Sequence, residues 1–269
     1  MGGVTRRGES LAVVGTLDRR PSETATDDRC NGVQASGDHH RAAPSIGSSA
    51  WYPLRQLHRE LVAVRDRFAF GRAGMTILDF GAGEVPYRHL FARDAIYLAA
   101  DIGDDAEIAV FEDGTVDLAD NTVDLVTSFQ VLEHVSDVTV YLKEAVRVLR
   151  PGGYLLLTTH GVWPFHPHPT DYWRWTQDGL TRVVTAAGFQ IEHQRGLVGP
   201  LGWTDQIRMA ALRRLLMETP GLRIAAPLLA VLYNAKIAVL DGLTPDRHRQ
   251  RDPSIIVVVA RVGSSVQGA

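Results

Sequence analysis

The stretch that most constrains this chain is ILDFGAGEVPYRHLF, residues 77–91. An apolar strand runs into Asp79, then Gly81 and Gly83 spaced by one residue, then Glu84-Val85-Pro86. In an open α/β sheet, ligands sit beyond the carboxyl ends of the strands, and glycines there let the backbone approach the ligand closely. A dinucleotide loop would read GxGxxG, with its third glycine at position 86, where this chain has Pro86. Asp79 also stands two residues before the first glycine. A carboxylate there opposes a pyrophosphate and suits a cationic ligand, through loop contacts or an ordered water. A tight turn with no ligand is the competing reading of the glycine pair taken alone.

The rest of the chain alternates strands and helices. Leu54, Leu57, Leu61, Val64 and Phe68 share one helical face after Pro53, which suits a first turn. Strands are expected at 75–80, 95–101, 107–113, 123–129, 154–159, 189–194 and 253–262. Residues 86–94 are expected to be helical, and helices are expected at 137–149, stopped by PGG at 151–153, and at 177–188. Such alternation predicts a parallel sheet with right-handed crossovers.

The pattern resembles the class I S-adenosylmethionine (SAM)-dependent methyltransferases, of the type 11-like kind. ILDFGAGEVPY resembles the family's first motif, LDxGxGxG, with Val85 where the third glycine usually stands. SFQVLEHV (128–135) resembles its SxxVLEHV, and VLRPGGYLLL (148–157) resembles its LxPGGxLxL. The resemblance implies a Rossmann-like seven-stranded, mostly parallel sheet with an antiparallel last strand and helices on both faces. It also implies SAM as cofactor. Asp79, Gly81 and Gly83 would form the cradle, and Asp101 would hold the ribose hydroxyls, which need a two-oxygen acceptor. Asp113 with Gly114 would face the adenine amino group, with Glu112 as the fallback, and Gln130 would pass the methionine part. A hydride-transferring NAD(P) oxidoreductase has no reason to carry VLEHV and RPGG in this order.

The acceptor side is expected in THGVWPFHPHPTDYWRWT, residues 159–176, after the fifth strand. It combines an aromatic wall with a few polar groups, as small-molecule pockets do, and resembles the PFH…P…DYxRxT segment of one methyltransferase subgroup. His134, His166 and Asp171 are the candidates for proton removal, and Tyr172, Trp173 and Arg174 for holding the acceptor. A hydroxyl acceptor needs such a base, so oxygen is the preferred acceptor atom. DYWRWT can equally cap the next helix, with Arg174 paired to an acid. Two histidines one residue apart, His166 and His168, can chelate a metal with Asp171, but no metal is expected.

Residues 1–48 lack periodic apolar positions and are expected to form a disordered tail. A methyltransferase domain is expected at 49–199, a helical insertion at 200–252, and the last strand of its sheet at 253–263. The insertion suits a lid, a dimer surface, or an interfacial helix that reaches a membrane or a lipid-linked acceptor. A formal charge of −3 does not suggest a nucleic-acid surface. The single cysteine, Cys30, excludes an intramolecular disulfide and fits a cytoplasmic location, with membrane-peripheral contact as an option. No signal peptide is expected. The reading is SAM-dependent methyl transfer to a small molecule. Its rival is a non-catalytic protein of the same fold that regulates or scaffolds a partner.

Overall fold

Ile77 and Leu78 are neighbours on one strand, both fully buried, and they belong to opposite cores. That is the signature of a strand covered on both faces. In the computed structural model, which describes residues 44–103, 106–111, 113–167 and 170–263, it is β1 (Thr76–Phe80). The other strands are β2 (Ile96–Asp101), β3 (Ile108–Ala109), β4 (Val123–Phe129), β5 (Leu149–His160), β6 (Phe189–Leu197) and β7 (Ile255–Val262). Among the described residues these seven form one sheet in the order β3-β2-β1-β4-β5-β7-β6. β1 pairs in parallel with β2 and β4, and β4 with β5, whereas β7 runs antiparallel between β5 and β6. The expected architecture is the observed one.

Helices cover both faces. α2 (Val138–Val148) and α3 (Gln177–Ala186) place Leu142, Ala145, Leu180 and Val184 against Leu78, Leu155 and Val258. On the other face α1 (Trp51–Phe68), α4 (Pro200–Glu218) and α5 (Ala226–Leu243) bury Leu57, Leu61, Met209 and Ile237 against Ile77, Leu125 and Val257. Each fully buried aliphatic side chain contributes about 1.5–3 kcal/mol. Local signals start the helices on the first of these faces. Asp137 accepts from the amides of Thr139 (2.9 Å) and Val140 (3.0 Å) to cap α2, and Thr176 accepts from Gly179 (3.0 Å) to cap α3.

Three local expectations need correction. The third strand is not 107–113 but only Ile108–Ala109. Residues 86–94 are not a helix: among them only Arg88–Leu90 form a single 3-10 turn. Phe91 is extended (φ −107, ψ 153), which ends the turn, and the Arg88 guanidinium donates to the carbonyls of Phe91, Ala92, Arg93 and Ala95 along the non-helical path that follows. The fifth strand does not begin at 154 but at Leu149, directly after α2, and PGG lies inside it where the register against β4 shifts.

The stretch at 200–252 is three helices, α4, α5 and α6 (Asp246–Arg251). α5 is anchored by buried polar groups. Asn234 donates to the carbonyls of Ile46 and Ser48, 2.8 Å each, and Asp241 accepts from the Tyr52 hydroxyl (2.9 Å) and the Gly199 amide (2.7 Å). Most of the expected tail, residues 1–43, lies outside the described residues, as do Glu112 and His168.

Candidate functional site

Strand order reverses between β1 and β4. From β1 the chain builds outward through β2 and β3, then returns to β4 on the other side. This switch point is where open α/β sheets bind ligands. The loops leaving its two strands touch: a Cβ placed on Gly81 would lie 2.6 and 2.7 Å from the methyls of Val131. Gly81 therefore lets the two loops close on each other. Gly83 is different. It has φ +51, and a Cβ there would meet nothing within 4 Å. Val85 holds φ +50, a conformation that β-branched residues rarely adopt. The backbone keeps a glycine-like turn without the third glycine.

Asp79 sits beneath this loop, buried, and accepts from the hydroxyls of Tyr97 and, at 3.0 Å, Thr127. Burial pushes its carboxyl up to about 6, against the lowering effect of those two bonds, with Asp101 adding to the rise. Burial and Asp79 also raise the Tyr97 phenol, which stays a donor. Asp101 ends β2 and accepts from the Gly83 amide at 2.6 Å and its neighbour Ile102 at 2.7 Å. Asp113 lies on the loop after β3, exposed, and one of its oxygens accepts from the amide and hydroxyl of Thr115; those bonds hold its carboxyl below the usual range. Gly114 beside it has φ +85. Gln130 follows β4 with φ +59; its amide donates to the Thr158 carbonyl (3.0 Å) and its side-chain nitrogen to the Thr158 hydroxyl (3.2 Å).

A second group of residues gathers one strand further along the same edge. Because Phe129 pairs with Thr158, the residues that follow each strand meet. Glu133 is fully buried; its Oε2 accepts from the Thr159 hydroxyl at 2.7 Å and its Oε1 lies 3.3 Å from His160 Nε2. His160 is buried and stacks on Trp163 at 4.4 Å. His166 packs edge-on against both His160 and His134, ring centres 5.0 Å apart in each case. His134 Nδ1 lies 2.6 Å from the Thr170 carbonyl, which only accepts, so this nitrogen carries the proton and Nε2 is the basic nitrogen of the neutral ring.

Arg174 and Asp171 form the frame of this loop. Arg174 donates to both Asp171 oxygens (2.5 and 2.6 Å) and to the carbonyls of Trp163, Pro164 and Trp173. Its five N–H groups thus all point into the loop. Burial would raise the Asp171 carboxyl, but the Arg174 bonds and the His166 amide at 3.0 Å override it and hold it at about 2. Tyr172 and Trp173 present half-exposed rings, and Phe165 is more open still. The residues leading into β7 clamp the start of the loop: Gly161 donates to Ser254 (2.8 Å) and Val162 to Pro253 (3.1 Å).

In the sequence Glu133 is only the neighbour of His134, and His160 is one of several polar residues in the acceptor-side stretch 159–176. The Thr127–Leu156 pairing of adjacent parallel strands, which brings them together, leaves no mark in either segment alone.

A family model described as a methyltransferase domain matches residues 54–194. The chain is 28% identical over 224 residues to a probable S-adenosylmethionine-dependent methyltransferase of Mycolicibacterium smegmatis, covering 74% of this chain and 86% of that protein. It is 36% identical over 78 residues to one of Mycobacterium tuberculosis, covering 27% of this chain and 28% of that protein. Among solved structures, that of the 4+2 cyclase SpnF matches with a TM-score of 0.50 at 20% identity, over 81% of this chain and 84% of that one, a likeness of fold.

Proposed function

The chain belongs to the methyltransferase-domain family and is a SAM-dependent methyltransferase, and from that premise we propose that it methylates an oxygen of a small-molecule acceptor. The residues at the switch point fit the cofactor. Gly83 directs its missing Cβ into open space, and Asp101, already turned onto the glycine loop, offers the carboxylate that vicinal hydroxyls require. In this reading Asp101 takes the ribose, Asp113 with Gly114 the adenine edge, and Gln130 with Gly81 and Gly83 the methionine part. Asp79 supports the loop from below. Bound SAM supplies a methyl group on a sulfonium, already activated for displacement.

What remains for the chain is positioning, worth on the order of 7–11 kcal/mol, and removal of a hydroxyl proton, worth roughly 10²–10⁴-fold. His134 is the base of this proposal, acting through Nε2. Asp171 and Arg174 hold the loop in shape, while Tyr172 and Trp173 line the acceptor side. The observation that carries the reading is the placement of the glycine cradle and the histidine group at neighbouring strand ends of one sheet edge. The test is S-adenosylhomocysteine formation by the purified protein against sugar, phenol and lipid-linked acceptor fractions. Turnover confined to hydroxyl acceptors supports it. SAM binding without turnover in any fraction would favour the regulatory role, and turnover only with amines would move the acceptor to nitrogen.

The outer side of α5 supports a peripheral membrane location for a cytoplasmic enzyme. Leu228, Leu232, Val239 and Leu243 are each more than 60% exposed, on a stretch, Arg223–Leu243, long and apolar enough to span a membrane by length and composition. Asn234 and Asp241 tie the opposite side to the domain, so the helix lies on the protein with an apolar face outward. Flotation with lipid vesicles that a Leu228→Glu, Leu232→Glu protein loses supports this contact; equal flotation removes it.

A further inference from the structure

We propose that Glu133, His160 and His166 form a binding site for one first-row divalent transition-metal ion. Each offers a ligand atom, and the three atoms lie within 4.8 Å of one another. Donors around a tetrahedral ion, with bonds of about 2.0–2.1 Å, stand about 3.3–3.4 Å apart. His160 Nε2 and Glu133 Oε1 are already 3.3 Å apart. The His166 ligand atom lies within 4.8 Å of the other two, so reaching the same spacing asks it to move by at most about 1.5 Å.

The supporting contacts are those of a ligand set. A metal-binding histidine usually turns its other ring nitrogen to a carboxylate, and ligating carboxylates are themselves hydrogen-bonded. His166 Nδ1 lies 3.5 Å from Asp171, an ion-pair distance rather than a hydrogen bond, and Arg174 holds that carboxylate from the far side. Thr159 donates to the Glu133 oxygen that does not face His160. Trp163 stacks on His160 and fixes its ring plane. Two nitrogens and one oxygen suit zinc, iron(II) or cobalt rather than magnesium or calcium, which take oxygen. Three protein ligands also leave a position open. Filling that position with an acceptor oxygen rests on the methyl-transfer reading above; metal binding itself does not.

The two are separated by measuring the metal without turnover. The full-length protein is stripped with a chelator, checked for retained fold by circular dichroism, and titrated with Zn²⁺ by calorimetry and with Co²⁺ by visible absorption. We expect one ion per chain, with the ligand-field bands of a nitrogen- and oxygen-bound cobalt. His166→Ala, on the loop, should abolish them in a folded protein. Asp171→Asn should weaken Zn²⁺ binding about 10–100-fold, and His248→Ala should leave it unchanged. Absence of a bound ion in the wild type, or binding that survives His166→Ala, would overturn the site. A wild type that binds the ion yet shows no methylation of any acceptor leaves the site standing and removes only its use in methyl transfer.

Discussion

Arg174 grips Asp171 with both ends of its guanidinium, at 2.5 and 2.6 Å, and turns its remaining donors to three carbonyls of the same loop. Removing one partner of a pair whose acid is buried leaves that charge without compensation. Arg174→Ala should therefore lower stability by about 2–4 kcal/mol. It should slow methylation of anionic and neutral acceptors alike, with SAM affinity within about threefold, or ~1 kcal/mol. Thermal unfolding, calorimetry and rates on acceptors of both kinds check this. A loss confined to anionic acceptors, with stability unchanged, would return Arg174 to the substrate side.

Asp79 and Asp171 should answer pH in opposite senses. The folded pKa of Asp79 is raised to about 6, so its contribution is fully present below the unfolded value and is lost as pH rises through about 6. Asp171 is held at about 2, so its contribution is present above the unfolded carboxylate value and fails only as pH falls toward 2. Asp79→Asn should gain stability relative to the wild type between pH 4.5 and pH 7.5, by about 2 kcal/mol. Urea midpoints at the two pH values measure it. Parallel changes in both proteins would show that Asp79 does not titrate in that window.

Gly81 and Gly83 should fail differently. Gly81→Ala drives a methyl into Val131, so it should cost stability, on the order of 1–3 kcal/mol. A Cβ at Gly83 meets no protein atom within 4 Å, so the folding penalty of Gly83→Val should come mainly from the left-handed backbone, about 1–2 kcal/mol. If the loop is the cradle proposed above, the main effect of Gly83→Val should be loss of SAM binding. Calorimetry and thermal unfolding on both variants decide; normal SAM affinity in folded Gly83→Val would mean that the loop is not the cradle.

Val85→Gly offers the reverse experiment. A branched side chain at φ +50 carries about 1–2 kcal/mol of strain, against roughly 0.5–1 kcal/mol for the extra freedom of glycine. The variant should melt at or slightly above the wild-type temperature. A drop of several degrees would show that the valine side chain contributes packing that outweighs its strain.

Much of this was legible in the chain. β4 spans the expected residues 123–129, and the acid at 137 caps α2 as such acids do, because periodicity and capping are local properties. The missing helix at 86–94 was not legible, because the chain turns extended at Phe91 and the Arg88 guanidinium ties the carbonyls beyond it, contacts that no local pattern shows. The Glu133–His160 pair depends on the register between β4 and β5, which neither segment encodes alone. The sequence leaves Arg174 open between holding the acceptor and pairing with an acid, because it shows a charge and not how many carbonyls surround it.

β7 has a consequence for timing. It is the last strand in chain order among the described residues, yet it lies between β5 and β6, and the residues just before it clamp Gly161 and Val162 at the root of the histidine loop. On the ribosome, β5 and β6 emerge well before the strand that joins them. The cradle after β1 can take shape early, from residues near one another in the chain. The root of the histidine loop therefore lacks its clamp at Gly161 and Val162 until residues 253–262 have been synthesised, whatever Arg174 and Asp171 already hold further along it.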